Sequence, residues 1–380
     1  MVGIQYPRRY ELIDAWRGVA SLLVVINHQF LGRSALTDQM WLGVQLFFVI
    51  SGYCIAAAVD DGLQRGMSFP AFMARRVRRI WPPYVASGVV ALAVAFLVGT
   101  VRGGLARGLA NLEGPVLEYV QNLTLTQWVS IPASLVGGAE PPAVAWANKT
   151  LWVQVYWSLN YEEQFYLLCG VSLLLAPLVG VGRLFALGTG VVVIFNLFTA
   201  GLITGTFVDY WLQFATGVLV FLRLRKAPDE KSARQLEVLL FSALVLVATR
   251  AAWQGEWPLT QEHYQFHAQL GVCLLFGLLL VRLRPLDAVA STTTVVRLLR
   301  SAGHMSYSLY LFHQPTLKLY RLLVPAGGDG VSQVFFDVGA LGFQYLVAYG
   351  LHRLVERPFL NSRPAEPVPT PSVASPARAA

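Results

Sequence analysis

Arg17 and His28 stand inside the first long apolar stretch of the chain, residues 13–31. Placing a charge or an imidazole in a bilayer-spanning helix is costly, so each is a functional candidate from the outset. They stand eleven positions apart, close to three whole turns at about 3.6 residues per turn, which sets both on one helix face roughly 16 Å apart. An arginine near one membrane surface can hold an anion while a histidine three turns deeper handles protons. The plainer alternative is an arginine that snorkels to the interface and a histidine hydrogen-bonded inside a bundle.

Other polar side chains join them. Glu163, in a later apolar segment, is an intramembrane carboxylate able to orient His28 or to pair with an arginine. Tyr307, Ser308 and His313 lie about midway along another segment, where they can position a substrate, stabilise a developing oxyanion or simply bond between helices. Arg65, Arg75, Arg76, Arg78 and Arg79 form a basic patch suited to bidentate contacts with phosphates, those of a ligand or of lipid headgroups. Between about residues 101 and 151 runs the longest polar connection, and Trp128, Trp146, Trp152 and Trp157 in and after it can stack on sugar faces or form an interfacial belt. Ser51, Gly52 and Tyr53 read as a close helix contact, and Glu356 with Arg357 as a structural ion pair.

These residues need helices to hold them. A chain of 380 residues that is 55% hydrophobic and only 13% charged departs far from soluble composition. Apolar runs recur at 85–98, 167–181, 184–204, 236–248 and 270–281 with charged or turn-rich breaks between them. The expected fold is all-α: a polytopic membrane bundle of about ten helices. Its segments begin near Ile13, Trp41, Trp81, Val153, Leu184, Asp209, Leu236, Tyr264, His304 and Ser332. Both termini are expected in the cytoplasm, because on that assignment the basic clusters around Arg8, Arg75, Arg223, Arg282, Arg353 and Arg363 fall on cytoplasmic loops. The opposite side receives only Arg33, Arg102, Arg107, Lys149, Arg250, Lys318 and Arg321. A net charge of +8 therefore reports topology rather than nucleic-acid binding. Cys54, Cys169 and Cys273 sit in separate apolar segments, and no histidine or cysteine spacing indicates a metal site. Asp14 and Arg17 interrupt the first apolar run, so it reads as a retained helix rather than a cleaved signal. Residues 1–362 form one membrane domain, and the Pro- and Ala-rich stretch 363–380 reads as a disordered cytoplasmic tail.

Several motifs occur in a fixed order. Leu12-Ile13-Asp14-Ala15-Trp16-Arg17-Gly18 and His28 come first, then Phe47-Phe48-Val49-Ile50-Ser51-Gly52-Tyr53 and Arg75-Arg76-Val77-Arg78-Arg79-Ile80-Trp81-Pro82-Pro83-Tyr84. Trp157-Ser158-Leu159-Asn160-Tyr161-Glu162-Glu163-Gln164-Phe165-Tyr166, Ser306-Tyr307-Ser308-Leu309-Tyr310-Leu311-Phe312-His313-Gln314-Pro315 and Glu356-Arg357-Pro358 follow. In that order they resemble the acyltransferase 3 family of bacterial integral membrane acyltransferases, from Glu11 to Phe359. Asn160, Tyr161 and Phe312 depart from the family's usual residues without touching the presumed chemistry.

The resemblance implies a multi-pass enzyme of the bacterial cytoplasmic (inner) membrane. Such an enzyme takes an acyl group, usually acetyl, from cytoplasmic acyl-coenzyme A and places it on a hydroxyl, commonly of a carbohydrate or glycosylated acceptor. Acyl-coenzyme A is then a co-substrate, and no permanently bound cofactor is implied. Arg17 and His28 match the family's essential arginine and histidine, with His28 as general base, and Glu163 takes a supporting place. Arg76 and Arg79 match its R-x-x-R motif on a cytoplasmic loop, so Arg75, Arg76, Arg79 and Arg17 are expected to bind the coenzyme. Tyr307, Ser308, His313 and Trp157 are the candidates for the acceptor. A transporter or acyl-group channel is the competing reading and predicts solute flux without consumption of acyl-coenzyme A. A non-catalytic partner in polysaccharide export would tolerate alanine at Arg17 and His28.

Overall fold

The computed structural model describes residues 10–127, 152–199, 205–257, 265–325 and 330–360, and no strand occurs among them. The 363–380 tail, Trp128, Trp146, Lys149, Arg8 and Arg9 lie outside the described residues. Twelve helices of nine residues or more carry the fold among the described residues. They are α1 (Glu11–Phe30), α2 (Gly43–Gln64), α3 (Phe69–Ala110), α4 (Val116–Thr124), α5 (Tyr156–Val179) and α6 (Val181–Thr199). After these come α7 (Trp211–Phe221), α8 (Glu230–Trp253), α9 (Phe266–Leu283), α10 (Thr294–His304), α11 (Ser306–Leu323) and α12 (Gly330–Leu351). Each of the ten apolar segments read from the sequence coincides with one of these helices.

Seven stretches among the described residues are long and apolar enough to cross a membrane, and they contain α2, α3, α5, α6, α8, α9 and α12. Of the ten, α1, α7 and α11 are too polar or too short for that measure, yet they are among the most enclosed. Half of α1 is buried, including the polar Ser21, Asn27 and Gln29, and eight of the eleven residues of α7 are buried. By contrast α6 and α8 turn Leu187, Ile194, Phe198, Phe241 and Leu246 outward, which is the surface a bilayer solvates. Polar helices inside and apolar helices outside is the arrangement that spares charges from hydrocarbon.

The R-x-x-R segment differs from expectation, because it lies on a helix and not on a loop. Ser68 caps the Ala71 backbone N–H and Pro70 occupies the first turn, so α3 starts at Phe69 and carries Arg75 to Arg79 before it reaches Pro82 and Pro83. Those prolines do not end the helix. Being three apart, Arg76 and Arg79 share a face and are half-buried, while Arg75 and Arg78 are exposed. Farther along, Gly103 and Gly104 (φ +77°) break α3 and let its last turn fold back, where Asn111 Nδ2 donates to Ala95 O at 2.8 Å.

Glycine permits the tightest crossings. A Cβ on Gly217 of α7 would lie 1.9 Å from Val49 O of α2, and one on Gly52 would lie 2.0 Å from Phe214 O. At the α1–α10 crossing, Gly18 and Gly303 play the same part, with Leu299 O and Asp14 O at 2.0 and 1.7 Å from the added carbon. We expect Gly217→Val to cost about 1–3 kcal/mol or more through backbone displacement. Its thermal unfolding midpoint in detergent should fall below that of Gly190→Val, whose added carbon meets open space. Equal midpoints would contradict the close α2–α7 contact.

Candidate functional site

Charged side chains from the start of α1, the ends of α2 and α12 and the first turns of α3 converge at one end of the bundle. They line a basin of about 610 Å³ that includes Asp14, Arg17, Asp61, Arg65, Arg75, Arg76, Arg79, His304, His352, Glu356 and Arg357. An inner chamber of about 80 Å³ continues from it between α1, α2, α3, α5 and α11. Arg17, Arg76 and Arg79 line both spaces, so they form the passage between them. None of the three makes a hydrogen bond or ion pair among the described residues. The Arg76 guanidinium instead lies over the rings of Phe72 and Tyr166, at 5.2 and 5.5 Å from their centroids. Guanidiniums free of protein acceptors among the described residues, in a space enclosed by helices, are suited to an anion.

The chamber's acidic group is Glu162. Its Oε1 accepts from Ser51 Oγ at 3.1 Å and from the Tyr166 hydroxyl, which leaves the three arginines without a carboxylate partner. Ser158, Glu162 and Tyr166 recur every fourth residue on α5, which turns them to one face, whereas Glu163 is rotated away. Glu163 does not orient His28: its Oε2 is buried and makes no hydrogen bond among the described residues. The sequence signal for Glu162 was the spacing to Ser158 and Tyr166.

At its inner end the chamber stops at Phe47, Ser158 and Tyr310. Tyr310 donates toward Val155 O at 3.0 Å and pairs with Ser158 Oγ at 2.6 Å, and its ring meets Phe47 edge-on at 5.7 Å. Behind it stand the two imidazoles. His313 lies 6.2 Å from the Tyr310 ring and 4.9 Å from His28, whose Nδ1 is 3.3 Å from His313 Nε2. Arg17 and His28 are thus at opposite ends of α1 as their spacing demanded, but one aromatic layer separates the arginine-lined chamber from His28. A single cavity lined by both is not what the chamber shows.

Four other candidates separate by environment. Tyr307 lines the chamber and donates to Ile80 O at 3.0 Å, tying α11 to α3. Ser308 turns away, its Oγ donating to Glu356 Oε2 at 2.6 Å. Glu356 also accepts from His352 Nδ1 at 2.9 Å, so its partners are Ser308 and His352 and not Arg357 as the sequence suggested. Trp157 packs among Phe48, Tyr161 and Tyr210, and Trp152 against Tyr119 and over Gly88, so both serve the core. Arg75 stands at the basin's rim alone, outside the inner chamber. Cys54, missed from the sequence as a site residue, is a free thiol in the chamber wall.

Comparison with known proteins bears on this geometry. Over 374 residues, 93% of the chain, it is 22% identical to the peptidoglycan O-acetyltransferase OatA of Listeria monocytogenes serovar 1/2a, of which it covers 56%. Over 110 residues, 28% of the chain, it is 38% identical to protein 2 in the picA locus of Rhizobium radiobacter, again covering 56% of that protein. The chain spans little more than half the length of these curated relatives. No solved structure matches it. The family model for the acyltransferase domain matches residues 10–353, which takes in every helix that builds the basin, the chamber and the histidine pair. The chain belongs to the acyltransferase 3 family.

Proposed function

We propose that this protein moves an acyl group, acetyl in the first instance, from acyl-coenzyme A bound in the arginine-lined basin to a hydroxyl of a carbohydrate or glycosylated acceptor. One observation carries the reading. Three guanidiniums without a hydrogen-bond or ion-pair partner among the described residues line both the basin and a chamber that ends one aromatic layer short of an imidazole pair. On this reading the basin opens to the cytoplasm, both termini lie there, and the bilayer is a bacterial inner membrane. The name of the Listeria relative, a peptidoglycan O-acetyltransferase, supports a carbohydrate hydroxyl as acceptor.

The dimensions divide the donor sensibly. A basin of about 610 Å³ falls in the range of small-molecule sites and suits the phosphorylated nucleotide, while a chamber of about 80 Å³ admits only a thin arm such as pantetheine. Arg17, Arg76 and Arg79 hold the phosphates at the junction by charge-assisted bonds. Rotation of the Phe47 and Tyr310 rings brings the thioester to His28. There His28 removes the acceptor's hydroxyl proton while the oxygen attacks the thioester carbonyl. The C–S bond breaks, and the imidazolium returns the proton to the departing thiolate, leaving ester, free coenzyme A and neutral histidine.

With radiolabelled acetyl-coenzyme A and native membranes, label should enter the carbohydrate fraction with the wild type. His28→Ala, present at the same level in the membrane, should lose roughly 10²–10⁴-fold in rate. Wild-type turnover by that variant would remove His28 from the chemistry.

Arg76→Ala and Arg79→Ala should each raise the KM for acetyl-coenzyme A by about 10–100-fold, the worth of a charged hydrogen bond of about 1.5–3 kcal/mol. A change in kcat alone, with KM fixed, would argue against phosphate binding there.

In a Cys169→Ser, Cys273→Ser background, a small methanethiosulfonate should modify Cys54, and coenzyme A should slow that reaction. Labelling indifferent to saturating coenzyme A would exclude the chamber as the donor site.

A further inference from the structure

We infer that His313 is a positioning residue for His28, fixing which of its ring nitrogens carries the proton and steadying the charge it acquires; the inference rests on His28 being the base. Carbonyl oxygens only accept, so a ring nitrogen that bonds one must bear hydrogen. His28 Nδ1 lies 2.9 Å from Val24 O one turn earlier on α1, and therefore carries its proton there. His313 Nδ1 lies 2.7 Å from Tyr310 O and 3.2 Å from Leu309 O on α11, and is protonated for the same reason. Two consequences follow from neutral rings. His313 Nε2 is a lone pair, and it faces the His28 Nδ1–H at 3.3 Å. His28 Nε2 is left as the free basic nitrogen.

The rings meet edge to face, with 62° between their planes, so His313 also limits rotation of the His28 ring. When His28 Nε2 takes the hydroxyl proton, positive charge spreads to Nδ1–H. That hydrogen already has two acceptors, Val24 O and His313 Nε2. A buried lone pair is thereby set opposite the one N–H whose acidity rises during the reaction, the service a carboxylate performs for histidine in a Ser-His-Asp triad. His313 is completely buried, its Nδ1 is engaged with backbone and its Nε2 with His28, so it has no nitrogen left for an acceptor sugar.

The test uses full-length protein labelled with ¹⁵N-histidine in lipid bilayers, and labelled acetyl-coenzyme A with native membranes. The spectrum should show His28 and His313 both as Nδ1–H tautomers, assigned by their loss in His28→Gln and His313→Gln. His313→Leu should lower kcat roughly 10–100-fold with the KM for acetyl-coenzyme A unchanged, and should shift the His28 resonances. His313→Gln, whose amide oxygen can accept from His28 Nδ1–H, should recover most of that loss. An Nε2–H tautomer at His28, or a His313→Leu variant that alters neither kcat nor the His28 signals, would overturn the inference. Full turnover in His28→Ala, with both Nδ1–H tautomers seen in the wild-type spectrum, would instead overturn the assignment of His28 as base.

Discussion

A guanidinium placed among lipid tails is costly, about 2.5–3.5 kcal/mol on insertion scales, and this fold is organised around enclosing three of them. Arg17, Arg76 and Arg79 come from two helices, and neither helix alone can shield its charge. Mutual shielding requires α1 and the first turns of α3 to face each other across a space closed by α2, α5 and α11. The helices that do this are free to be polar because others stand between them and the bilayer. That is why α1 retains Asp14, Arg17, Asn27 and His28, and why α6 and α8 turn Leu187, Ile194, Phe241 and Leu246 outward along their middles.

The same enclosure explains the division of labour among carboxylates. Glu162 is held by Ser51 and Tyr166, and Glu356 by Ser308 and His352, so both are satisfied without drawing on the three arginines. Among the described residues no carboxylate closes an ion pair with the arginines of the passage, although Glu162 and Glu356 line the same spaces. Aromatic faces do the holding instead: the Arg76 guanidinium lies over Phe72 and Tyr166 with no hydrogen bond to the protein among the described residues.

The class of fold and the helices were readable from hydropathy, since a repeated apolar run of membrane length admits few other structures. Arg17 and His28 could be placed relative to each other because both sit on one helix, whose period is fixed. Relations between helices were not readable in this way. Periodicity brings both Glu162 and Glu163 near Tyr166, four and three residues on, and only the packing of α5 against α2 shows which of the two faces the chamber. The apolar run placed a segment start near Trp81, whereas the Ser68 cap begins α3 more than three turns earlier and turns an expected loop into an ordered arginine face. Ser308 was grouped with Tyr307 by adjacency, yet successive helical residues diverge by about 100° and the two belong to different surroundings. The Phe47–Tyr310 contact joins residues 263 positions apart, and nothing local announced it.

That pair of rings bears on the membrane's electrical insulation. A bilayer holding 100 mV drives each proton across with about 2.3 kcal/mol, and a wet path from the basin past two imidazoles to the far surface would short-circuit it. The ring faces offer a proton no hydrogen-bonded wire, and on the proposed reading a slender thioester displaces them as it enters. A barrier that yields to a bound substrate and not to water lets chemistry cross a charged membrane without discharging it.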